Sequence, residues 1–222
     1  MVIFDMDGVL FQGDNFWLDL HREYGTDEEG VKLANSYLNS DYVMLAELVI
    51  ERLWKGRPAS VFERLVESRR YNPGVQEVFE FLHRRGLRSA IVSTGPYQLA
   101  ERAQSELGID EIRGNRLIIE SGMISQVEIM VRETHKAEVG RRIMSSQAVD
   151  PARTAFVGDS YGDVALAELV GLPVAYNSKS AELNDVCKYT LRNGEFAMLI
   201  GILENEMRSG PGNSRVRSRT TD

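Results

Sequence analysis

A single cysteine, Cys187, leaves the chain without any internal disulfide, and the three histidines at 21, 83 and 135 lack the spacing of a zinc site. His21 and His83 fall on charged helical stretches and are expected to be solvated; His135 reads as a bystander. Uninterrupted apolar runs are equally scarce. None approaches the roughly 20 residues needed to cross a bilayer, and no charged leader with an apolar core precedes the first strand-like run, so a soluble cytoplasmic protein is expected. Positive charge is in deficit as well: 26 Lys and Arg against 33 Asp and Glu give a formal charge of −7. That balance argues against a general nucleic-acid surface, though not against a small phosphorylated ligand held by a local cation or metal. The expected partner is a small phosphorylated metabolite, with no nucleic acid and no membrane, and with the chain as a monomer or homodimer.

What remains is ordinary globular material: 222 residues, 43% hydrophobic, enough to bury a sizeable core. VIFD at 2 to 5 is a short apolar run of the kind buried in a parallel sheet. Similar runs recur at SAIVST (89 to 94), TAFVGD (154 to 159) and PVAY (173 to 176), with a weaker one at KYTL (188 to 191). Between them lie helical patterns, among them Val75, Val78, Phe79 and Leu82, and Leu99, Ala103 and Leu107. Strand alternating with helix predicts an α/β class, a Rossmann-like parallel sheet with helices on both faces. The rhythm breaks at residues 12 to 71, which carry amphipathic helical pieces and no core strand. It breaks again at RLIIESGMISQVEIM, where two β-prone runs around Ser121 and Gly122 predict a hairpin beside the sheet. The predicted organisation is a core of residues 1 to 11 and 72 to 205, a helical cap domain at 12 to 71, and a disordered tail at 206 to 222.

Ligands of parallel α/β sheets bind beyond the carboxyl ends of the strands. Asp5 and Asp7 end the first run, Ser93, Thr94 and Gly95 the second, and Gly158, Asp159, Ser160 and Asp163 the third. Singly, these are common turn and cap residues. Together they bring several carboxylates to one edge, where like charges demand protonation or a cation, and Mg²⁺ is a hard ion that takes a few carboxylate oxygens and leaves room for phosphate.

These segments resemble the haloacid dehalogenase-like superfamily. DMDGV matches its DxDG[TV] opening, and IVSTG, Lys136 and GDSYGD resemble its second, third and fourth motifs in order, over residues 2 to about 191. NRLIIESGMISQVE, followed by a lysine opening a helix, is similar to phosphoserine phosphatase-type members. The resemblance implies a Mg²⁺-dependent phosphatase. In it Asp5 is the nucleophile and Asp7 the acid and then base; Asp5, the Asp7 carbonyl and Asp159 hold metal, with Asp163 supporting or binding it. Ser93, Thr94, Gly95 and Lys136 receive the phosphoryl group. In the cap the resemblance implies an acid and an arginine gripping phosphoserine. Asp14 falls at the acid; Val49 falls at the arginine, with Arg52 one turn away. Gly162 stands where an Asn is usual. Trp17, Tyr42 and Trp54 are read as the cap's own core.

The alternatives are a phosphomutase or other phosphotransferase of the superfamily, a phosphatase for phosphosugars or nucleotides, and a non-catalytic interaction protein on the same fold. The last is expected to have lost one of Asp5, Asp7, Lys136 or Asp159, and all four are present.

Overall fold

The computed structural model describes residues 1–13, 15–38 and 40–209. Its centre is a seven-stranded sheet in the order β4-β3-β2-β1-β5-β6-β7. The strands are β1 (Val2–Phe4), β2 (Ser89–Pro96), β3 (Glu111–Glu120), β4 (Met123–Glu128), β5 (Ala155–Gly158), β6 (Leu172–Tyr176) and β7 (Tyr189–Leu191). All neighbours are parallel except β3 and β4. Every residue of β1 is buried, which is why its sequence shows no polar alternation.

Successive side chains of a strand point to opposite faces. Val2 and Phe4 accordingly join one apolar cluster with α5 (Val75–Arg84), α6 (Tyr97–Leu107) and α10 (Met198–Ser209). Ile3 joins another with α7 (Lys136–Ser146), α8 (Val164–Leu169) and α9 (Ala181–Val186). The expected two-faced α/β sheet is present.

Between β1 and β2 the chain makes α1 (Phe16–Tyr24), α2 (Asp27–Tyr37), α3 (Tyr42–Val49), a π-helical turn Ile50–Trp54, and α4 (Ser60–Ser68). Asn15 caps α1 by accepting from the Trp17 and Leu18 amides, and Gly25 ends it in the left-handed region. The outgoing and returning strands of this insert are stitched together. Gln12 N–H donates to the Arg70 carbonyl at 2.8 Å, Phe11 stacks on Tyr71 with ring centroids 4.4 Å apart, and the Asn72 amide donates to the carbonyls of Val9 and Gly8 at 2.8 and 3.2 Å. Arg102 of α6 donates to the carbonyls of Val66 and Arg69, satisfying groups that the end of α4 leaves open.

Three details differ from expectation. The hairpin does not lie beside the sheet. β3 pairs with β2 along its first half and with β4 along its second, and the turn at Ser121 and Gly122, both at positive φ, reaches the insert. There Gly56 and Ala59 donate to the carbonyls of Ile124 and Gly122, and Ile124 donates to Arg57. Residues 206–209, expected to be disordered, complete α10, because Leu199 and Leu203 hold it on the core while Glu206 accepts from Lys188 at 2.7 Å and Tyr189 at 2.9 Å. The rest of the expected tail lies outside the described residues. His21, expected to be solvated, is buried: its ring lies 4.5 Å from that of Trp54, its Nδ1 is 2.8 Å from Thr26 Oγ1, and Gly30 lacks the side chain that would displace it. Among the described residues no helix is long and apolar enough to cross a membrane.

Candidate active site

β1, β2 and β5 are adjacent, so their carboxyl ends deliver Asp5, Ser93 and Asp159 to one place. Lys136, the first residue of α7, is 3% exposed and reaches in from the other side. Its ammonium lies 3.1 Å from Asp5 Oδ2 and 2.7 Å from Asp163 Oδ1. The other oxygen of Asp163 accepts from the backbone amides of Asp159 and Ser160 at 3.0 and 3.1 Å and from the Ser160 hydroxyl at 3.2 Å. Both oxygens of Asp163 are thus engaged: one holds the lysine, the other folds the GDSYGD loop into a capping box.

Asp5 and Asp159 are less fully partnered. Asp5 Oδ1 is buried and accepts no hydrogen bond. Among the described residues, one carboxylate oxygen each from Asp5, Asp159 and Asp163 lie within 4.8 Å of one another. Burial lifts the Asp5 carboxyl to about 6, against the pull of Lys136. Burial, then the charges of Asp5 and Asp163, lifts Asp159 to about 8. Burial works against the Lys136 ammonium, yet Asp163 and Asp5 outweigh it and hold its pKa above the ordinary lysine value. One ammonium therefore leaves a residual negative cluster with an unpartnered buried oxygen, the donor set that suits a hard divalent cation. Gly8, at φ +74°, makes the approach of Asp159 geometrically available, since a Cβ there would sit 2.3 Å from Asp159 Oδ2.

The Asp7 carboxylate is not part of this cluster. Its Oδ2 accepts from the Phe16 amide, the first residue of α1, at 3.1 Å, and its Oδ1 is buried without a partner. Burial raises its pKa. Ser93 is buried, its hydroxyl oxygen accepting from the Gly95 amide at 3.1 Å, which leaves its proton available. Gly95 permits this crowding: a Cβ would meet Met6, Asp7 and Ser93. The Thr94 carbonyl turns away toward the insert, where it accepts from the Trp17 indole at 2.8 Å and from Asn115 at 3.0 Å.

The two cap residues fare differently. Asp14 lies outside the described residues. Arg52 is exposed and does not border the cavity beneath the insert, whereas Val49 does. That cavity, about 260 Å³, is walled by α1, α2, α3, the π-helical turn and the hairpin, and the three aromatics read as cap core, Trp17, Tyr42 and Trp54, face it.

One organising residue carried no signal in the sequence. Asn115, fully buried in β3, accepts from the Met130 and Val131 amides, both at 2.9 Å, and donates to the carbonyls of Thr94 and Val131 and to the Tyr42 hydroxyl. It ties the Ser93 loop, the segment leading to Lys136 and the insert into one network. An Asn inside a β-prone run is depleted on propensity grounds, and that misfit was the only available hint.

A family model for haloacid dehalogenase-like hydrolases matches residues 2–168. The chain belongs to the haloacid dehalogenase-like hydrolases. Among curated relatives, a phosphoserine phosphatase of Archaeoglobus fulgidus is 28% identical over 208 residues, covering 92% of this chain but only 60% of the relative. One of Idiomarina loihiensis is 25% identical over 217 residues, covering 92% and 93%. A solved substrate-bound phosphoserine phosphatase complex superimposes with a TM-score of 0.76 at 23% identity, covering 89% of this chain and 95% of that one. At that identity the likeness speaks for the fold. This member of the haloacid dehalogenase-like hydrolases carries a helical insert between β1 and β2 of its sheet, and Val49 of that insert lines the cavity beneath it.

Proposed function

We propose that this chain is a Mg²⁺-dependent phosphomonoesterase that works through an aspartyl-phosphate on Asp5 and acts on a small phosphorylated metabolite, in the manner of its phosphoserine phosphatase relatives. The observation that carries the reading is the buried Asp5 carboxylate, one oxygen on Lys136 and the other unpartnered, at the shared end of three strands. Asp5 and Asp159 would hold the metal together with the Asp7 carbonyl, and Asp163 would fix the loop and the lysine. When bound, Mg²⁺ supplies positive charge that offsets the clustered carboxylates and polarises phosphoryl oxygens.

The side chains do the rest. Lys136 keeps Asp5 ionised for attack on phosphorus. As the Asp5–phosphorus bond forms, the ester oxygen leaves and takes the proton of Asp7, which burial keeps available on that carboxyl. Water then attacks phosphorus and returns a proton to Asp7, so that inorganic phosphate departs and Asp5 is regenerated. The Ser93 hydroxyl, the loop at Thr94 and Gly95, and the Lys136 ammonium take up the charge on the phosphoryl oxygens. In this reading residues 1 to 11 and 72 to 205 form the catalytic core, and residues 12 to 71, with Asp14, Arg52 and the cavity, act as a cap over the leaving group in a cytoplasmic monomer or homodimer.

A phosphate-release screen over phosphorylated amino acids, amino alcohols, sugars and nucleotides, with Mg²⁺ or EDTA, tests it. Turnover should require Mg²⁺, and Asp5→Asn should abolish it. Substantial residual turnover in that variant removes Asp5 as nucleophile.

A further inference from the structure

The cavity under the insert has an unusual charge balance. Its described lining is largely aliphatic and aromatic, and it includes no lysine or arginine. Its one ionisable carboxylate is Glu133, which accepts no hydrogen bond and forms no ion pair among the described residues. Its one imidazole, His21, is held neutral: burial pushes its pKa below the usual value, and Nδ1 is committed to Thr26. Glu133 also depends on a bare backbone opposite it. A Cβ on Gly162 would lie 2.9 Å from Glu133 Cγ and 3.1 Å from its Oε1, so any side chain at 162 would crowd the carboxylate. Gly162 lies between Ser160 and Asp163 of the catalytic loop, and Thr94, next to Ser93, borders the cavity, so its wall at Thr94 and Glu133 adjoins the Ser93 and Gly162 loops.

We infer that the leaving group is a small amino alcohol whose ammonium is held by Glu133 and the rings of Trp17, Tyr42 and Trp54, and which carries no carboxylate. The inference rests on the phosphomonoesterase reading above. An ammonium would supply the counter-charge that Glu133 lacks and would gain from aromatic faces. A carboxylate-bearing leaving group would instead bring a second anion beside Glu133 with no cation in the described lining to oppose it, and like charges across a partly desolvated site are strongly discriminated against. The volume, about 260 Å³, falls just below the range of roughly 300–1,000 Å³ usual for drug-sized ligands and suits a short leaving group.

The test is a kcat/KM comparison on the full chain with Mg²⁺, using phosphoethanolamine, its neutral isostere propyl phosphate, phosphoserine and p-nitrophenyl phosphate. Phosphoethanolamine should exceed both propyl phosphate and phosphoserine by about tenfold or more. Glu133→Gln should bring the phosphoethanolamine to propyl phosphate ratio close to one. Equal or better turnover of propyl phosphate or phosphoserine by the native chain overturns the inference while leaving the phosphatase intact, and so does a ratio that Glu133→Gln does not move. Should that variant fail to fold, the native comparison alone decides. No turnover of any of the four, p-nitrophenyl phosphate included, refutes the phosphomonoesterase reading itself.

Discussion

Gly8→Ala is the most revealing single change, because Gly8 touches Asp159 of the proposed metal site without offering that site any side-chain atom. Two costs follow from its geometry. Its φ of +74° is left-handed, which an alanine adopts at a cost of about 1–2 kcal/mol. For a domain of this size that lowers Tm by roughly 2–8 °C. The new methyl group would also fall 2.3 Å from Asp159 Oδ2 and 3.0 Å from its Cγ. Ordinary contact would require the carboxylate to withdraw by about 1 Å, several times the ~0.2 Å within which metal–ligand distances are held. Gly86→Ala supplies the control, since Gly86 has φ +62° and nothing within 4 Å of its would-be Cβ. Both variants should lose thermal stability, Gly8→Ala at least as much as Gly86→Ala. Only Gly8→Ala should raise the Mg²⁺ concentration for half-maximal turnover, by tenfold or more, if about 1.4 kcal/mol of binding is lost. A Gly8→Ala enzyme with native Mg²⁺ dependence would refute the placing of Asp159 at the metal.

Lys136→Met leaves Asp5 and Asp163 without their shared cation, and turnover should fall by at least about 10²-fold; phosphate release at saturating substrate checks this. The carboxyls of Asp5, at about 6, and Asp159, at about 8, lie above the roughly 3.9 of an unfolded aspartate. The folded metal-free chain therefore keeps protons that the unfolded chain has released, and these two groups cost it stability as pH rises from about 4 to about 8. In the proposed site Mg²⁺ would displace those protons, so the stability difference between Mg²⁺ and EDTA in urea unfolding should widen from pH 5 to pH 8; a constant difference contradicts the assignment. Asn115→Leu leaves the Met130 and Val131 amides without their acceptor, at about 1–3 kcal/mol for each group left unsatisfied, and leaves the Thr94 carbonyl with the Trp17 indole alone. It should lower both urea midpoint and kcat, and native kcat would exclude Asn115 from positioning the Ser93 loop.

The parts of this molecule that sequence revealed are those where chemistry and periodicity coincide. β1 and β5 are short apolar runs followed by carboxylates, and β2 carries the apolar run Ala90–Val92 before Ser93, Thr94 and Gly95, so both their burial and their common edge could be read directly. The end of α10 is hidden in the sequence because its last residues, Arg208 and Ser209, run straight into GPG, and the residues that hold it, Lys188 and Tyr189, lie far from it in sequence. His21 looks solvated in the sequence because its neighbours there are charged, while its burial comes from Trp54 and a side-chain-free Gly30. Glu133 and Asn115 act through neighbours on other elements, Gly162 for the one and Thr94, Val131 and the distant Tyr42 for the other, and no local pattern marks such convergence.

The pairing of the hairpin tip with residues 56–59 has a mechanical consequence. Raising all four insert helices as one body would break three backbone hydrogen bonds there, at about 0.5–1.5 kcal/mol net apiece, as well as the stitching at Gln12 and Asn72. Shifting α2 alone breaks none of them, and of its own residues that helix buries only Gly30. The inexpensive doorway to the cavity is on the α2 side, so traffic through it should be governed by the residues that flank α2, Gly25 and Thr26 before it and Leu38 after it, rather than by the joints with the sheet.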